Sequence, residues 1–170
     1  ILAGYAGIEA ANIILDNTSK KNQNLIKLKN FTKNESINVE KIANNGISTK
    51  KIIKMHDPTE GGIATALHEI CEFGKVSCEI EFEKINFLPN FIEVCKDLKI
   101  DPIGAISSGC LLIICKKEDE NIITSKYKTV GIPVNIIGKT TNKKKNNTIK
   151  INKEIINLKR FDQDEILKIF

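Results

Sequence analysis

Residues Cys110 to Cys115 read CLLIIC, six apolar side chains in succession. A strand with one wet face alternates polar and apolar residues, whereas an unbroken run of this length is the signature of a strand buried on both faces. The segments around it alternate in kind. Lys51 to Met55 is a short β run, and Glu60 to Phe73 places Ile63, Leu67, Ile70 and Cys71 at helical spacing, with Gly74 as the stop. Ser77 to Phe82 has period two, Cys78, Ile80 and Phe82 facing one way and Glu79, Glu81 and Glu83 the other. Pro89 suits the first turn of a helix carrying Phe91, Val94, Cys95 and Leu98, and Asp101-Pro102 ends that unit. Glu118 to Thr129 reads as an amphipathic helix and Val134 to Ile137 as a strand. The turn TTNKKKNN then leads to Thr148 to Ile151, read as an edge hairpin. This order predicts an α+β, three-layer α/β/α fold with helices layered on a mixed sheet.

The ends are less regular. Ile1 to Asp16 mixes apolar and small residues, as in a segment that packs closely against something else. Asn17 to Asn34 reads as a loop with partial helix, and Ser36 to Ala43 as a short helix ended by Asn44-Asn45-Gly46. Arg160 to Phe170 reads as a short charged helix or an extended arm. A chain of 170 residues suffices for one domain, burying about 70% of the surface it would expose unfolded.

Charge and cysteine content narrow the function classes. The net charge is +5, but the lysines are spread along the chain and Arg160 is the only arginine, a pattern of a solvated surface rather than a nucleic-acid face. The Lys143-Lys144-Lys145 turn is read as a solvated hairpin tip on the same ground. Five cysteines without a CxxC pair indicate neither a disulfide framework nor a zinc site, and suit a reducing cytoplasm. No stretch reaches the roughly 18 apolar residues of a membrane span. No nucleic acid, membrane or metal-ligand set is therefore assigned.

The chemistry-bearing candidate is Met55 to Gly62, MHDPTEGG, at the start of the predicted helix. Unpaired N–H groups and the helix dipole favour an anion at such a point, and Gly61 and Gly62 let a phosphate or another chain approach the backbone. Asp57 or Thr59 can cap the helix, and Pro58 pre-sets its φ. Two glycines here cost on the order of 1 to 2 kcal/mol against alanine. Either a ligand or tight packing on the sheet compensates, and the residues alone leave both open. Asp57 and Glu60 would repel a phosphate unless Mg²⁺ bridges them or they act on a neighbouring substrate group. Ser107, Ser108 and Gly109, just before the buried strand, form a second loop that offers donors to an anion or simply satisfies itself. His56, a residue type that can serve as a general base, is read instead as a hydrogen-bonded structural residue at a strand end, and His68 carries no claim.

The string MHDPTEGGIATALHEICEFG, followed by LKIDPI, ISSGCLLIIC and IPVNIIGKTT, resembles the C-terminal domain of the aminoimidazole ribonucleotide (AIR) synthetase superfamily, PurM-like in fold and partly ferredoxin-like. Within it the chain is most similar to the HypE-like hydrogenase expression/formation branch and to AIR-synthase-related proteins. The likeness covers roughly Ile37 to Thr141. It implies an interdomain segment over 1–16, the domain proper over 17–152 and a tail over 153–170. It further implies a preceding N-terminal domain that carries most ligands for ATP and Mg²⁺, a homodimer, a cytoplasmic setting and a maturation partner protein. The activity implied is ATP-dependent, synthetase- or dehydratase-like activation of an acceptor oxygen by phosphoryl transfer, absent from the isolated fragment. The alternative is a non-catalytic nucleotide-binding or assembly module. Asp57, Thr59, Glu60, Gly61, Gly62, Ser107, Ser108 and Gly109 are the residues the resemblance places toward the nucleotide. One departure stands out: HypE-like members end in a cysteine that accepts the carbamoyl group, and no cysteine follows Cys115 here.

Overall fold

The computed structural model describes residues 1–18, 22–142 and 146–170. Among them the chain forms β1 (Leu2–Gly4), α1 (Ile8–Asn17), α2 (Gln23–Thr32), α3 (Glu40–Ile47), β2 (Ile52–His56), α4 (Gly62–Gly74), β3 (Ser77–Glu81) and α5 (Phe91–Leu98). There follow β4 (Cys110–Cys115), α6 (Glu120–Thr129), β5 (Val134–Asn135), β6 (Gly138–Thr141), β7 (Thr148–Ile151) and β8 (Glu154–Asn157). One four-stranded sheet has the order β2-β4-β1-β5 with antiparallel neighbours. The other has the order β6-β3-β7-β8, in which only β3 and β7 run parallel.

The apolar run of β4 sets the layers. Cys110 and Leu112 face a core shared with α1, α4 and α5, whereas Leu111 and Ile113 face a second core built by Ile42, Ile123, Tyr127 and Val134. Successive side chains of one strand thus enter two cores, as burial on both faces requires. β1 repeats the division on a smaller scale, Leu2 entering the first core and Ala3 the second. Residues 1–16, expected as a connecting segment, contain this inner strand and the core helix α1, whose Ile8, Ala10, Ala11 and Ile14 are buried.

Several boundaries differ from the sequence expectation for identifiable reasons. Residues 17–34 hold a full helix, α2, because the Asn22 side chain caps it by accepting the Leu25 N–H at 2.8 Å while Leu25 and Leu28 are buried. α3 starts at Glu40, whose N–H is taken by the Asn38 side chain, and runs through Asn44-Asn45-Gly46. Gly46 serves close packing rather than termination: a Cβ there would lie 2.4 Å from both the Tyr127 hydroxyl and the Met55 methyl carbon. The expected strand Val134 to Ile137 is split. β5 stays in the first sheet and the chain crosses to β6 in the second, where Gly138 lets the Glu79 carbonyl approach to a point 2.2 Å from where a Cβ would be. β7 is an inner strand, not an edge; one edge is β6 and the other is β8, joined to β7 through a two-residue turn at Asn152, whose φ is 56°. The Lys143-Lys144-Lys145 turn lies outside the described residues.

The two cores meet different demands. In the second, the wholly buried Tyr127 donates its hydroxyl to the Ile42 carbonyl at 3.0 Å and so ties α6 to α3. Tyr127→Phe removes that bond while keeping the ring. It is expected to lower unfolding free energy by about 1–2 kcal/mol, read as a shifted denaturation midpoint with an unchanged slope.

Candidate functional site

β2 delivers His56 to the rim of the first sheet, and the chain then bends through Asp57, Pro58, Thr59 and Glu60 into α4. The bend closes on itself by backbone bonds, Thr59 N–H to Asp57 O and Gly62 N–H to Thr59 O, both at 3.0 Å. Gly61 and Gly62 are both left-handed, with φ of 75° and 62°, a conformation disfavoured for side-chain-bearing residues and available to glycine. Gly62 also lies against backbone: a Cβ would sit 2.5 Å from the Ala105 carbonyl and 2.6 Å from that of Ile103. The tight-packing explanation for this glycine is therefore met within the domain.

The expected caps are not used. Neither the Asp57 nor the Thr59 side chain accepts an N–H at the start of α4, because the N-cap position falls on Gly61, which has no side chain and offers only its own amide. That amide donates to Oδ2 of Asp164, 2.7 Å away, in the segment read from sequence as a charged helix or arm. The same carboxylate accepts through Oδ1 from the Ile106 N–H at 3.1 Å and from the Ile166 N–H at 2.9 Å. Asp164 was invisible as a site residue in sequence, being one acid among several in FDQDE. Its only local signal is a side chain placed to cap the short 3-10 turn Glu165–Ile169.

The second predicted loop lies beside the first. Ser107 donates its N–H to the Pro58 carbonyl at 3.2 Å, so two segments 49 residues apart in sequence share a backbone bond. The Ser107 hydroxyl is fully buried and donates to the Ala105 carbonyl at 2.9 Å, and its own carbonyl accepts from the Cys110 thiol at 3.3 Å. Gly109, with φ of 109°, fits under Ile8, whose Cδ1 would be 2.8 Å from a Cβ. Ser107 and Gly109 are thus consumed in the loop's own structure, while Ser108 remains half-buried and Thr59 and Glu60 are exposed.

Two polar atoms at the bend stay unmatched among the described residues: Oδ1 of Asp57 and Oγ1 of Thr65, both buried. Thr65 is a further residue missed from sequence, set against Gly61, where a Cβ would meet its hydroxyl at 2.4 Å. Burial holds the Asp57 pKa above its ordinary 3.8; the imidazole of His56 opposes the shift and Glu9 adds to it. His56 has a structural partner, Nε2 lying 2.7 Å from Oε2 of Glu69 in a largely solvated pair of small energetic weight. Among the described residues no three acidic, His or Cys side chains converge as a metal cage. Two grooves, of about 730 and 1280 Å³, open along α4 and between the sheets, lined by His68, Cys71 and Leu158 in the first and by Ile70, Ile80 and Leu112 in the second. Neither touches the bend.

Residues 3–151 match the family described as AIR synthase related protein, C-terminal domain. The chain belongs to that family. It is 33% identical over 81 residues to a putative hydrogenase expression/formation protein of Methanocaldococcus jannaschii, covering 48% of this chain and 23% of the relative. It is also 33% identical over 69 residues to carbamoyl dehydratase HypE of Rhizobium leguminosarum, covering 41% and 20%. Its fold is that of Escherichia coli HypE, with a TM-score of 0.78 at 16% identity over all of this chain and 52% of that one. A HypE structure in complex with ATP aligns with a TM-score of 0.70 at 17% identity, over 97% of this chain and 51% of that one. The AIR synthase related domain therefore spans about half the length of the HypE chains it resembles. No helix among the described residues is long and apolar enough to cross a membrane.

Two variants check this geometry. Gly62→Ala must hold a side chain at positive φ against two carbonyl oxygens and is expected to cost roughly 2–4 kcal/mol in chemical denaturation. Because burial raises the pKa of Asp57 in the folded state, its ionised form weakens the fold at neutral pH, and the penalty fades as pH falls through the raised value. Asp57→Asn should melt above the parent at neutral pH, the gap closing as pH approaches 3.8.

Proposed function

We propose that this domain is the C-terminal half of an ATP-dependent, HypE-like protein of the AIR synthase related family. In this reading it faces an N-terminal domain across a nucleotide cleft. The observation that carries the proposal is the joining of the Asp57–Gly62 bend to the Ser107–Gly109 loop, with buried, unmatched polar atoms of Asp57 and Thr65 beside exposed Thr59 and Glu60. Buried oxygens without partners are costly unless a ligand or water completes them. The ATP-bound HypE structure of the same fold supports nucleotide as that ligand.

The donor set suits a hard cation better than a bare phosphate. Asp57 and Glu60 are oxygen ligands of the kind Mg²⁺ takes, and Mg²⁺ bound there would neutralise phosphate charge during phosphoryl transfer. Thr59, Thr65 and Ser108 supply hydroxyls that orient the nucleotide or the acceptor. Gly61 and Gly62 shape the backbone so that these side chains face the cleft, and Ser107 and Gly109 hold the neighbouring loop in register. The reaction class is activation of an acceptor oxygen by phosphoryl transfer, in hydrogenase maturation with a partner protein. The setting is cytoplasmic, and the working unit is a homodimer.

The test is MgATP turnover and binding, measured for the 170-residue chain alone and for the chain joined to its N-terminal domain. Joined protein is expected to bind MgATP, with Asp57→Asn weakening it on the order of tenfold, and the lone chain to show no turnover. Turnover by the lone chain that disappears in Asp57→Ala would overturn the division of labour. Unaltered MgATP affinity in the joined Asp57→Asn protein would overturn the site.

A further inference from the structure

Residues 158–170 are fastened at several points along α4 and the 101–106 segment, reaching the site through Asp164. Leu158 donates to the Asn147 carbonyl at 2.7 Å and accepts from Nε2 of His68 at 3.1 Å. Arg160 pairs with Glu72 near the end of α4, and the Phe161 ring fills the space over Gly104, 2.5 Å from where a Cβ would be. Glu165 accepts the Asp101 N–H at 2.8 Å and pairs with Lys168, and the Ile166 side chain is buried. At the centre sits Asp164, 5% exposed, with one oxygen on the Gly61 amide and the other shared by the amides of Ile106 and Ile166. None of the ion pairs among the described residues includes it.

A nearly buried carboxylate held by three backbone N–H groups, one of them opening a helix, is bound as a ligand anion would be. We infer that Asp164 is a built-in anion that fills the receptor at the start of α4, so that segment 158–170 acts as a clasp positioning both loops of the candidate site. The donors come from both loops: Gly61 closes the bend, and Ile106 immediately precedes Ser107. One carboxylate therefore fixes the distance between the Asp57–Glu60 face and Ser108. An incoming phosphate does not use the Gly61 amide, since taking it would mean expelling a charge-assisted acceptor and lifting Phe161 and Ile166 out of apolar surroundings. Nucleotide contacts fall instead to the side chains of the bend. The positioning consequence rests on the proposed function; the clasp itself does not.

Asp164→Ala and Asp164→Asn in the 170-residue chain test the clasp through residue-resolved amide exchange and melting. Asp164→Ala is expected to speed exchange at both Gly61 and Ile106, on the order of tenfold or more. Formate, which replaces the missing carboxylate, should raise its melting temperature relative to chloride at equal ionic strength and leave the parent unchanged. In Asp164→Asn the remaining oxygen goes to the side with two donors, so Gly61 exchange speeds up while Ile106 stays protected. If Asp164→Ala does not fold, Asp164→Asn decides alone. Unchanged Gly61 exchange in Asp164→Asn overturns the clasp, as does inorganic phosphate displacing the side chain from the Gly61 amide of the parent. For positioning, MgATP affinity of the joined protein should fall severalfold in Asp164→Asn. Unchanged affinity there, with weakened affinity in Asp57→Asn, overturns the positioning role and leaves the proposed function standing. Unchanged affinity in both contradicts the proposed function and with it the positioning role, the clasp being decided by exchange.

Discussion

The carboxylate of Asp164 ties together the first turn of α4, the approach to β4 and the segment after β8, placing one charged acceptor where Gly62 packs on the 103–105 backbone. Its energetic role follows from what α4 lacks. A helix opened by two left-handed glycines has no side-chain cap and carries a backbone cost on the order of 1–2 kcal/mol. Hydrogen bonds to a charged acceptor contribute roughly 1.5–3 kcal/mol each, and negative charge at a helix start adds to them. Three such bonds outweigh the glycine cost, so the helix can begin with the residues that the close approach of Gly62 to the 103–105 backbone demands.

That approach in turn depends on β4. Because its side chains alternate between two cores, the strand is fixed from both sides, and the loop entering it inherits that rigidity through the fully buried Ser107 and through Gly109. The bend leaving β2 is fixed by the neighbouring register, His56 opposite Leu112. Two strand ends and one carboxylate therefore set the geometry of the polar face formed by Asp57, Thr59, Glu60 and Ser108. In the proposed reading a ligand completes that face and the buried, unmatched oxygens of Asp57 and Thr65 behind it, while the Gly61 and Ile106 amides are already taken by Asp164.

Much of this was legible from local pattern. The run CLLIIC gave β4 and its double burial without error, the spacing of Ile63, Leu67 and Ile70 gave α4, and the alternation of Cys78, Glu79 and Ile80 gave β3. The three layers and the family followed from those elements and from the strings around them. Failures came where a long-range contact overrode a local signal. Gly46 looks like a helix stop and is a contact point for Tyr127, and Gly138 marks a change of sheet inside an apparently continuous strand. In the site, the glycine pair was read as an anion receptor; the acceptor on the Gly61 amide is a carboxylate about a hundred residues downstream in the same chain. Nothing in the spacing of FDQDE distinguishes Asp164 from its neighbours; only the closure of the fold does.

The most direct measurement is through-hydrogen-bond scalar coupling by NMR in the unmodified chain, from the amide nitrogens of Gly61 and Ile106 to the side-chain carboxyl carbon of Asp164. Both amides donate to one carboxylate, so both nitrogens should couple to that one carbon. Coupling from only one of them, or from neither, would mean that no shared carboxylate holds the two loops.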